Sequence, residues 1–247
     1  MTSHPTNIAS ELTETPKTNI ESRTVRVVVV DDHPFIRMAF RDAEKDHPWL
    51  KICGEASDVA EALAVIQREK PDLAIVDLSL KEGASGIELI HQVASQFADV
   101  RMLVFSMYDE AIYAERCIRA GASGYLMKSE EPERVIQAIQ TVARGGIYLS
   151  PEMSARILAK KARPGKQAPS SEQQSFLIDT LSDRELTIFQ MMGDGLDVDE
   201  ICHRLGLNRK TVEGHRRNAK DKLGLDSVND LIRYAIEFKH AQSASKL

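Results

Sequence analysis

Leu73-Ala74-Ile75-Val76-Asp77 is a short apolar run closed by a carboxylate, and the chain repeats this layout. Val25 to Val30 ends in the pair Asp31-Asp32, Arg101 to Phe105 is followed by Ser106, and Gly124 to Met127 by Lys128. Lys51 to Glu55 is a fifth run of the same kind. Short, continuous, β-branched runs of this type are strands buried on both faces. Between them, Phe35 to Asp46, Val59 to Arg68, Ile87 to Gln96, Ala111 to Arg119 and Glu133 to Ala143 space their apolar residues at the helical period. Strand and helix alternating from Val25 to about Arg144 specify an α/β fold, a doubly wound five-stranded parallel sheet, with a flavodoxin-like strand order expected from its size.

The remainder reads differently. Residues 1–23 are rich in Thr, Ser, Asn and Pro with no apolar period, which predicts a disordered tail. The α/β domain is expected over 24–146. Pro151 opens a short helix to about Lys161, within a linker (147–176) whose Pro164, Gly165, Pro169 and Ser/Gln run suit a flexible connection. From 177 to 247 no strand pattern appears. Ser182 with Glu185 three residues on is a capping box that opens a helix to about Met192, and helices follow at Val198 to Leu205, Arg209 to Leu223 and Val228 to His240. The C-terminal part is expected to be a small all-α domain.

At 247 residues the chain is long enough for two cores. No stretch reaches the ~20 apolar residues of a membrane span, and no signal-peptide layout opens the chain, so a soluble cytoplasmic protein is expected. Cys53, Cys117 and Cys202 are far apart in apolar surroundings and read as reduced core thiols, not a metal site. The net charge of −5 argues against indiscriminate nucleic-acid binding. It conceals a basic stretch, Arg204, Arg209, Lys210, Arg216, Arg217, Lys220 and Lys222, interrupted only by Glu213 and Asp221.

In a parallel α/β sheet the carboxyl ends of the strands meet along one edge, so Asp31, Asp32, Asp77, Ser106 and Lys128 converge there. A carboxylate and a phosphoryl group repel each other unless a hard cation lies between them, and Mg²⁺ accepts one or two carboxylates, water and phosphate oxygen. Lys128 can neutralise a transferred phosphoryl group and the Ser106 hydroxyl can donate to it. Singly, each residue reads better as a helix cap or a solvated side chain; all five after strands one, three, four and five point to a Mg²⁺-dependent phosphoryl-accepting site.

Val27-Val28-Val29-Val30-Asp31-Asp32-His33, Ile75-Val76-Asp77-Leu78-Ser79, Phe105-Ser106 and Gly121-Ala122-Ser123-Gly124-Tyr125-Leu126-Met127-Lys128 resemble the receiver domain of bacterial two-component response regulators. The resemblance implies Asp77 as phospho-acceptor, Asp31, Asp32 and the Ser79 backbone carbonyl as Mg²⁺ ligands beside Asp77, and Ser106 and Lys128 as the residues that sense phosphate. Tyr125 matches the switch aromatic, with partial burial at the sheet edge as its plainer role. The chain departs from the pattern after Asp77, where Lys81 stands at the usual Pro and Gly86 comes one position late.

Asp199 to Leu205, a turn at Gly206-Leu207, Asn208 as cap and a helix from Arg209 fit a helix-turn-helix. On the second helix Val212, Ala219 and Leu223 share one side, while Arg209, Arg216, Arg217 and Lys220 project from roughly the other. A solvated amphipathic helix would carry the same charges. Leu181-Ser182-Asp183-Arg184-Glu185-Leu186, Gly195, Glu200-Ile201, Leu205-Gly206-Leu207, Lys210-Thr211-Val212, His215 and Lys222-Leu223-Gly224 also resemble the LuxR-type DNA-binding domain, and the two parts together a NarL/FixJ-type regulator. That resemblance implies groove-facing Lys210, Glu213, Gly214 and Arg217, and backbone contacts from Thr211, His215 and Arg216, with Lys220 beside them. Gly214 serves either close approach to DNA or packing. Val228, Leu231, Ile232, Ala235 and Ile236 form an apolar stripe shared between the core and an expected dimer contact.

The function implied is phosphorylation-dependent control of promoter binding, with a sensor histidine kinase as phosphoryl donor and a homodimer on DNA. Two alternatives remain open: a phosphorylation-independent DNA-binding regulator whose receiver is a dimerisation or docking module, and a phosphohydrolase, for which no second acid is evident.

Overall fold

The computed structural model describes residues 23–80, 85–162, 178 and 180–244. The expected tail up to residue 22, residues 163–176 of the expected linker, and Lys81 therefore lie outside the described residues. Five strands, β1 (Val25–Val30), β2 (Leu50–Ala56), β3 (Leu73–Val76), β4 (Arg101–Ser106) and β5 (Gly124–Met127), form one parallel sheet in the order β2-β1-β3-β4-β5. They alternate with α1 (Pro34–Asp46), α2 (Val59–Glu69), α3 (Gly86–Gln96), α4 (Glu110–Ala120) and α5 (Pro132–Ala143). The period of two, with both faces covered, explains why β3 is apolar throughout and β1 and β4 nearly so, whereas the edge strand β2 alternates. Val27, Val29, Leu73, Ile75, Leu103 and Phe105 pack on one face, whereas Val28, Val30, Ala74, Val76, Met102 and Val104 pack on the other.

The strands reached by sequence are reproduced to within about one residue at each end, and helices α1 to α5 gain a single residue at one or both ends, while the helix expected to close at Leu223 ends at Lys222 and the last one, expected to His240, runs to Ala244. The helix expected after Pro151 exists as α6 (Pro151–Ala162), and it is anchored on α4. Ser150 N–H donates to Glu110 Oε1 at 2.8 Å, Arg156 Nη1 donates to the Ala111 carbonyl at 3.0 Å, and Met153 is buried.

Among the described residues four further helices follow, α7 (Asp183–Gly193), α8 (Val198–Leu205), α9 (Arg209–Lys222) and α10 (Val228–Ala244). The Ser182/Glu185 capping box is present, and Asp197 with Glu200 makes a second, which opens α8. Gly206 ends α8 at φ 61°, a left-handed conformation open to glycine, and the Asn208 side chain accepts from Thr211 N–H to start α9. Lys222 Nζ lies 2.7 Å from Glu185 Oε2, fixing the end of α9 to the first turn of α7. Burial pushes the Glu185 carboxyl up, but Lys222 and the Ser182 bonds outweigh it and hold it below the usual range.

The α/β domain and the C-terminal helices share an apolar core that runs from Tyr113 and Cys117 on α4 to Ile178, Leu181 and Leu186. Arg116 on α4 reaches across the boundary: Nη1 donates to the Leu181 carbonyl at 2.7 Å and Nη2 to the Ile178 carbonyl at 2.9 Å. Its Nη1 is also 3.1 Å from Asp183 Oδ1.

Candidate functional site

The strand order places the ends of β1, β3, β4 and β5 side by side, and the expected residues meet there. Lys128 Nζ stands 2.7 Å from Asp31 Oδ2 and 2.7 Å from Asp77 Oδ2, with all three side chains buried. Burial opposes the Lys128 charge, yet Asp77 and Asp31 outweigh it and raise its pKa, so the ammonium is charged. Burial pushes the Asp77 carboxyl up while Lys128 pulls it down, with the net direction upward. Lys128 occupies one side of Asp77; Asp77 Oδ1, on the other, is buried and has no hydrogen-bond partner, and the same holds for Asp32 Oδ1.

Ligand atoms of Asp31, Asp32, His33 and Asp77 lie within 4.8 Å of one another. Three carboxylates against one ammonium leave two negative charges on the edge; Asp77 Oδ1 is buried without a hydrogen-bond partner, and Asp32 Oδ1 has only the His33 imidazole, 2.7 Å away. Unpaired buried charge is costly, so this set fits a divalent cation. Sequence reasoning gave His33 no role, although it follows the acidic pair directly.

Ser106 is buried at the end of β4, its hydroxyl accepting from Tyr108 N–H at 3.3 Å and its carbonyl from Lys128 N–H at 2.8 Å. Partial burial of Tyr125 is corrected: it is 1% exposed, inside the domain, with its hydroxyl donating to the Tyr108 carbonyl at 2.8 Å. Tyr108 stacks on Tyr113 of α4 with centroids 5.0 Å apart. Ser106, Tyr108, Tyr125 and Tyr113 thus form one connected chain of contacts from the acidic edge to α4.

Ser79 bridges to Ser85, closing the longer loop, and the chain re-enters regular structure at Gly86. A Cβ on Gly86 would stand 2.1 Å from the Asp77 carbonyl oxygen. The late glycine therefore still serves close approach to the acceptor strand. Gly86→Ala should cost about 1–3 kcal/mol and slow labelling of the chain by acetyl phosphate, as read by denaturant unfolding and by phosphoprotein gel. Unchanged values for both would mean that the loop yields freely.

On α9, Lys210, Glu213 and Arg217 are exposed, and a side chain at Gly214 would meet nothing within 4 Å. Packing thus gives no reason for Gly214 among the described residues. The expected outward array is corrected in part. Arg209 is paired with Asp199 at 2.7 Å and with Glu213 at 3.2 Å, Lys220 with Asp221 at 2.9 Å, and Arg216 is half-buried with Nε lacking a partner. Thr211 is half-buried beside its cap. His215 is also half-buried, and burial, reinforced by Arg184, lowers its pKa, which favours the neutral imidazole at pH 7. The dimer stripe needs a larger correction: Leu231 and Ala235 are 0% and 1% exposed, packed into the helical core. Only Val228 and Ile236 are exposed, with Ile232 half-buried.

The response regulator receiver domain model matches residues 27–140, and the model of bacterial regulatory proteins of the luxR family matches residues 179–235. The oxygen regulatory protein NreC of Staphylococcus carnosus (strain TM300) is 32% identical over 215 residues, covering 87% of this chain and 98% of that protein. The chain is a two-component response regulator with a LuxR-type DNA-binding domain. NreC of Staphylococcus aureus (strain MRSA252) is 30% identical over the same shares of the two chains. A LuxR-family two-component response regulator from Aurantimonas sp. SI85-9A1 is 32% identical with a TM-score of 0.52, covering 57% of this chain and 99% of that one. RcsB from Salmonella enterica serovar Typhimurium, solved bound to the rprA promoter with phosphomimetic BeF3⁻, covers 86% of this chain and 98% of its own. At 21% identity and a TM-score of 0.57, it shows the shared fold. The regulator belongs to the transcription-controlling members of this family, and no described helix is long and apolar enough to cross a membrane.

Proposed function

We propose that this regulator accepts a phosphoryl group on Asp77 from a sensor histidine kinase and that the phosphorylated form pairs into a homodimer on promoter DNA in the cytoplasm. The observation that carries the reading is the unpartnered, buried Asp77 Oδ1 beside Asp32 Oδ1, opposite an Asp77 Oδ2 already held by Lys128. Asp31, Asp32, Asp77 and the Ser79 carbonyl would hold Mg²⁺, which when bound offsets the repulsion between carboxylate and phosphoryl group. Lys128 neutralises one phosphoryl oxygen and the Ser106 hydroxyl donates to another. Autodephosphorylation returns the receiver to its resting state; no other turnover is assigned to it.

When the Ser106 hydroxyl turns to phosphate it leaves Tyr108 N–H, and Tyr108 stacks on the helix that carries Arg116. The acidic edge is therefore coupled to the surface that holds α7. That surface does not cover the DNA-reading side, because Lys210, Glu213 and Arg217 stay exposed while the two parts touch. Control accordingly acts on how two copies are placed, with Val228, Ile232 and Ile236 as the available apolar contact, more than on uncovering α9. Lys210 and Arg217 would contribute phosphate or base contacts, and Glu213 can accept from cytosine.

The test is binding of the full chain to a promoter-fragment library, with and without acetyl phosphate and Mg²⁺. Phosphorylation should tighten binding to selected fragments carrying two half-sites by about tenfold or more, leave single half-sites nearly unchanged, and have no effect in Asp77→Asn. Binding indifferent to phosphate would favour the phosphorylation-independent regulator.

A further inference from the structure

Arg209 opens α9 at its first helical position, where a cation opposes the positive end of the helix dipole and the first turn holds no acidic residue. Two carboxylates hold it there. Its Nη1 stands 2.7 Å from Asp199 Oδ1 on α8, and its Nε donates to Glu213 Oε1 at 3.2 Å, one turn further along α9. One guanidinium thus ties Glu213 to the scaffold helix. Glu213 Oε2 has no hydrogen bond or ion pair among the described residues, and the Arg217 side chain, four residues on, has none either. Glu213 and Arg217 line one open cleft on that side of α9. Gly214 beside them presents no side chain, and a Cβ there would meet nothing within 4 Å.

A carboxylate has the wrong charge for a helix that approaches phosphates, whereas Lys210, Arg216, Arg217 and Lys220 on the same helix have the right one. An exposed ion pair between residues four apart does little for stability, so pairing with Arg209 alone is a weak reason for the acid. We infer that Glu213 selects a cytosine, that Arg209 positions it to do so, and that Arg217 reads a guanine close by in the same half-site. The inference rests on α9 as the groove-reading helix and adds which bases it selects. A carboxylate can only accept, and in the major groove cytosine offers its N4 amino group alone. Guanine presents two acceptors, and the N6 donor of adenine lies beside the acceptor N7, which repels the acid. Glu213 Oε2 takes the cytosine bond while Oε1 stays with Arg209, so the acid enters the groove oriented and with part of its charge offset. The Arg217 fork matches O6 and N7 of guanine. Four residues of helix span about 6 Å, which places the two bases about two base-pair steps apart along the groove.

The full chain, with and without acetyl phosphate and Mg²⁺, is used to select duplexes from a random-sequence library, and each variant is taken through the same selection. The wild type should favour cytosine at one position of the half-site by about fivefold to a hundredfold, with a guanine about two base pairs away. Glu213→Gln should change that cytosine to adenine, whose N6 and N7 suit an amide, and leave the guanine in place. Arg209→Ala should lose most of the cytosine preference, and Arg209→Lys, which keeps the charge but not the two-pronged hold, should retain part of it. Far-UV circular dichroism verifies that each variant folds. If the wild type selects a sequence and no position of it changes in Glu213→Gln, the inference fails and α9 remains the DNA-reading helix. A full cytosine preference in Arg209→Ala would remove Arg209 from the positioning role. If the wild type selects no sequence under either condition, the promoter-binding reading falls and this inference with it.

Discussion

Asp77→Asn will take no label from acetyl phosphate and Mg²⁺, while the wild-type chain is labelled. The amide keeps the size of the carboxyl but removes the nucleophilic oxygen that faces away from Lys128. Asp31 still pairs with Lys128 at 2.7 Å, so the edge retains one of its two ion pairs. The variant should also be more heat-stable near neutral pH. Burial raises the Asp77 carboxyl above its usual range despite the opposing pull of Lys128. A group raised in this way contributes stability that is fully present below its unfolded value, about 3.9, and lost as pH rises through the folded value. Asn keeps the uncharged form at all pH. Its melting temperature should therefore exceed that of the wild type at pH 7, by about 2–4 °C for each kcal/mol of relief, and the gap should close as pH falls toward 4. Labelling of Asp77→Asn equal to wild type would remove Asp77 from the chemistry, and a gap independent of pH would remove its ionisation from the stability difference.

The acidic edge was legible because a parallel sheet turns a sequence regularity into a place. The runs of β1, β3, β4 and β5 are largely buried on both faces, so their polar terminators have nowhere to go but the edge, and the order β2-β1-β3-β4-β5 seats these four ends side by side. Caps were legible for a similar reason: Ser182 and Asn208 satisfy backbone groups only a turn away. What sequence could not show depends on neighbours far along the chain. Leu231 and Ala235 lie on the same apolar stripe as Val228 and Ile236, and only the positions of α7 and α9 decide which of them is covered. His33 turns back through its side-chain torsions, which spacing does not encode. Arg116 is one arginine on an amphipathic helix, and its two carbonyl partners are 62 and 65 residues away with no side-chain signature.

Arg116→Ala will separate the receiver from the C-terminal helices without unfolding either. The guanidinium is 9% exposed and supplies two hydrogen bonds to backbone carbonyls and one ion pair, all across the boundary and none within α4. Hydrogen bonds from a charged donor contribute about 1.5–3 kcal/mol each. Their joint loss shifts the docked equilibrium by about 3–5 kcal/mol, a factor of a hundred to a few thousand. A further polar contact across the boundary, Tyr113 with Thr187 at 3.5 Å, is too long to compensate by itself. Separation lets water reach the Ile178 and Leu181 carbonyls, so the cost falls on docking rather than on folding. Small-angle scattering should show a larger radius of gyration with unchanged helix content, and amide exchange should rise at residues 181–187 and on the outer face of α4. Arg116→Lys keeps the charge but cannot span two carbonyls and a carboxylate, so it should fall between. An unchanged radius in Arg116→Ala would mean that the apolar contact of Tyr113 and Cys117 with Leu181 and Leu186 holds the parts together unaided. If the radius grows, acetyl phosphate should enlarge the wild type toward the same value and leave Arg116→Ala where it is, because the stack of Tyr108 on Tyr113 can transmit a change at Ser106 only while Arg116 has something to release.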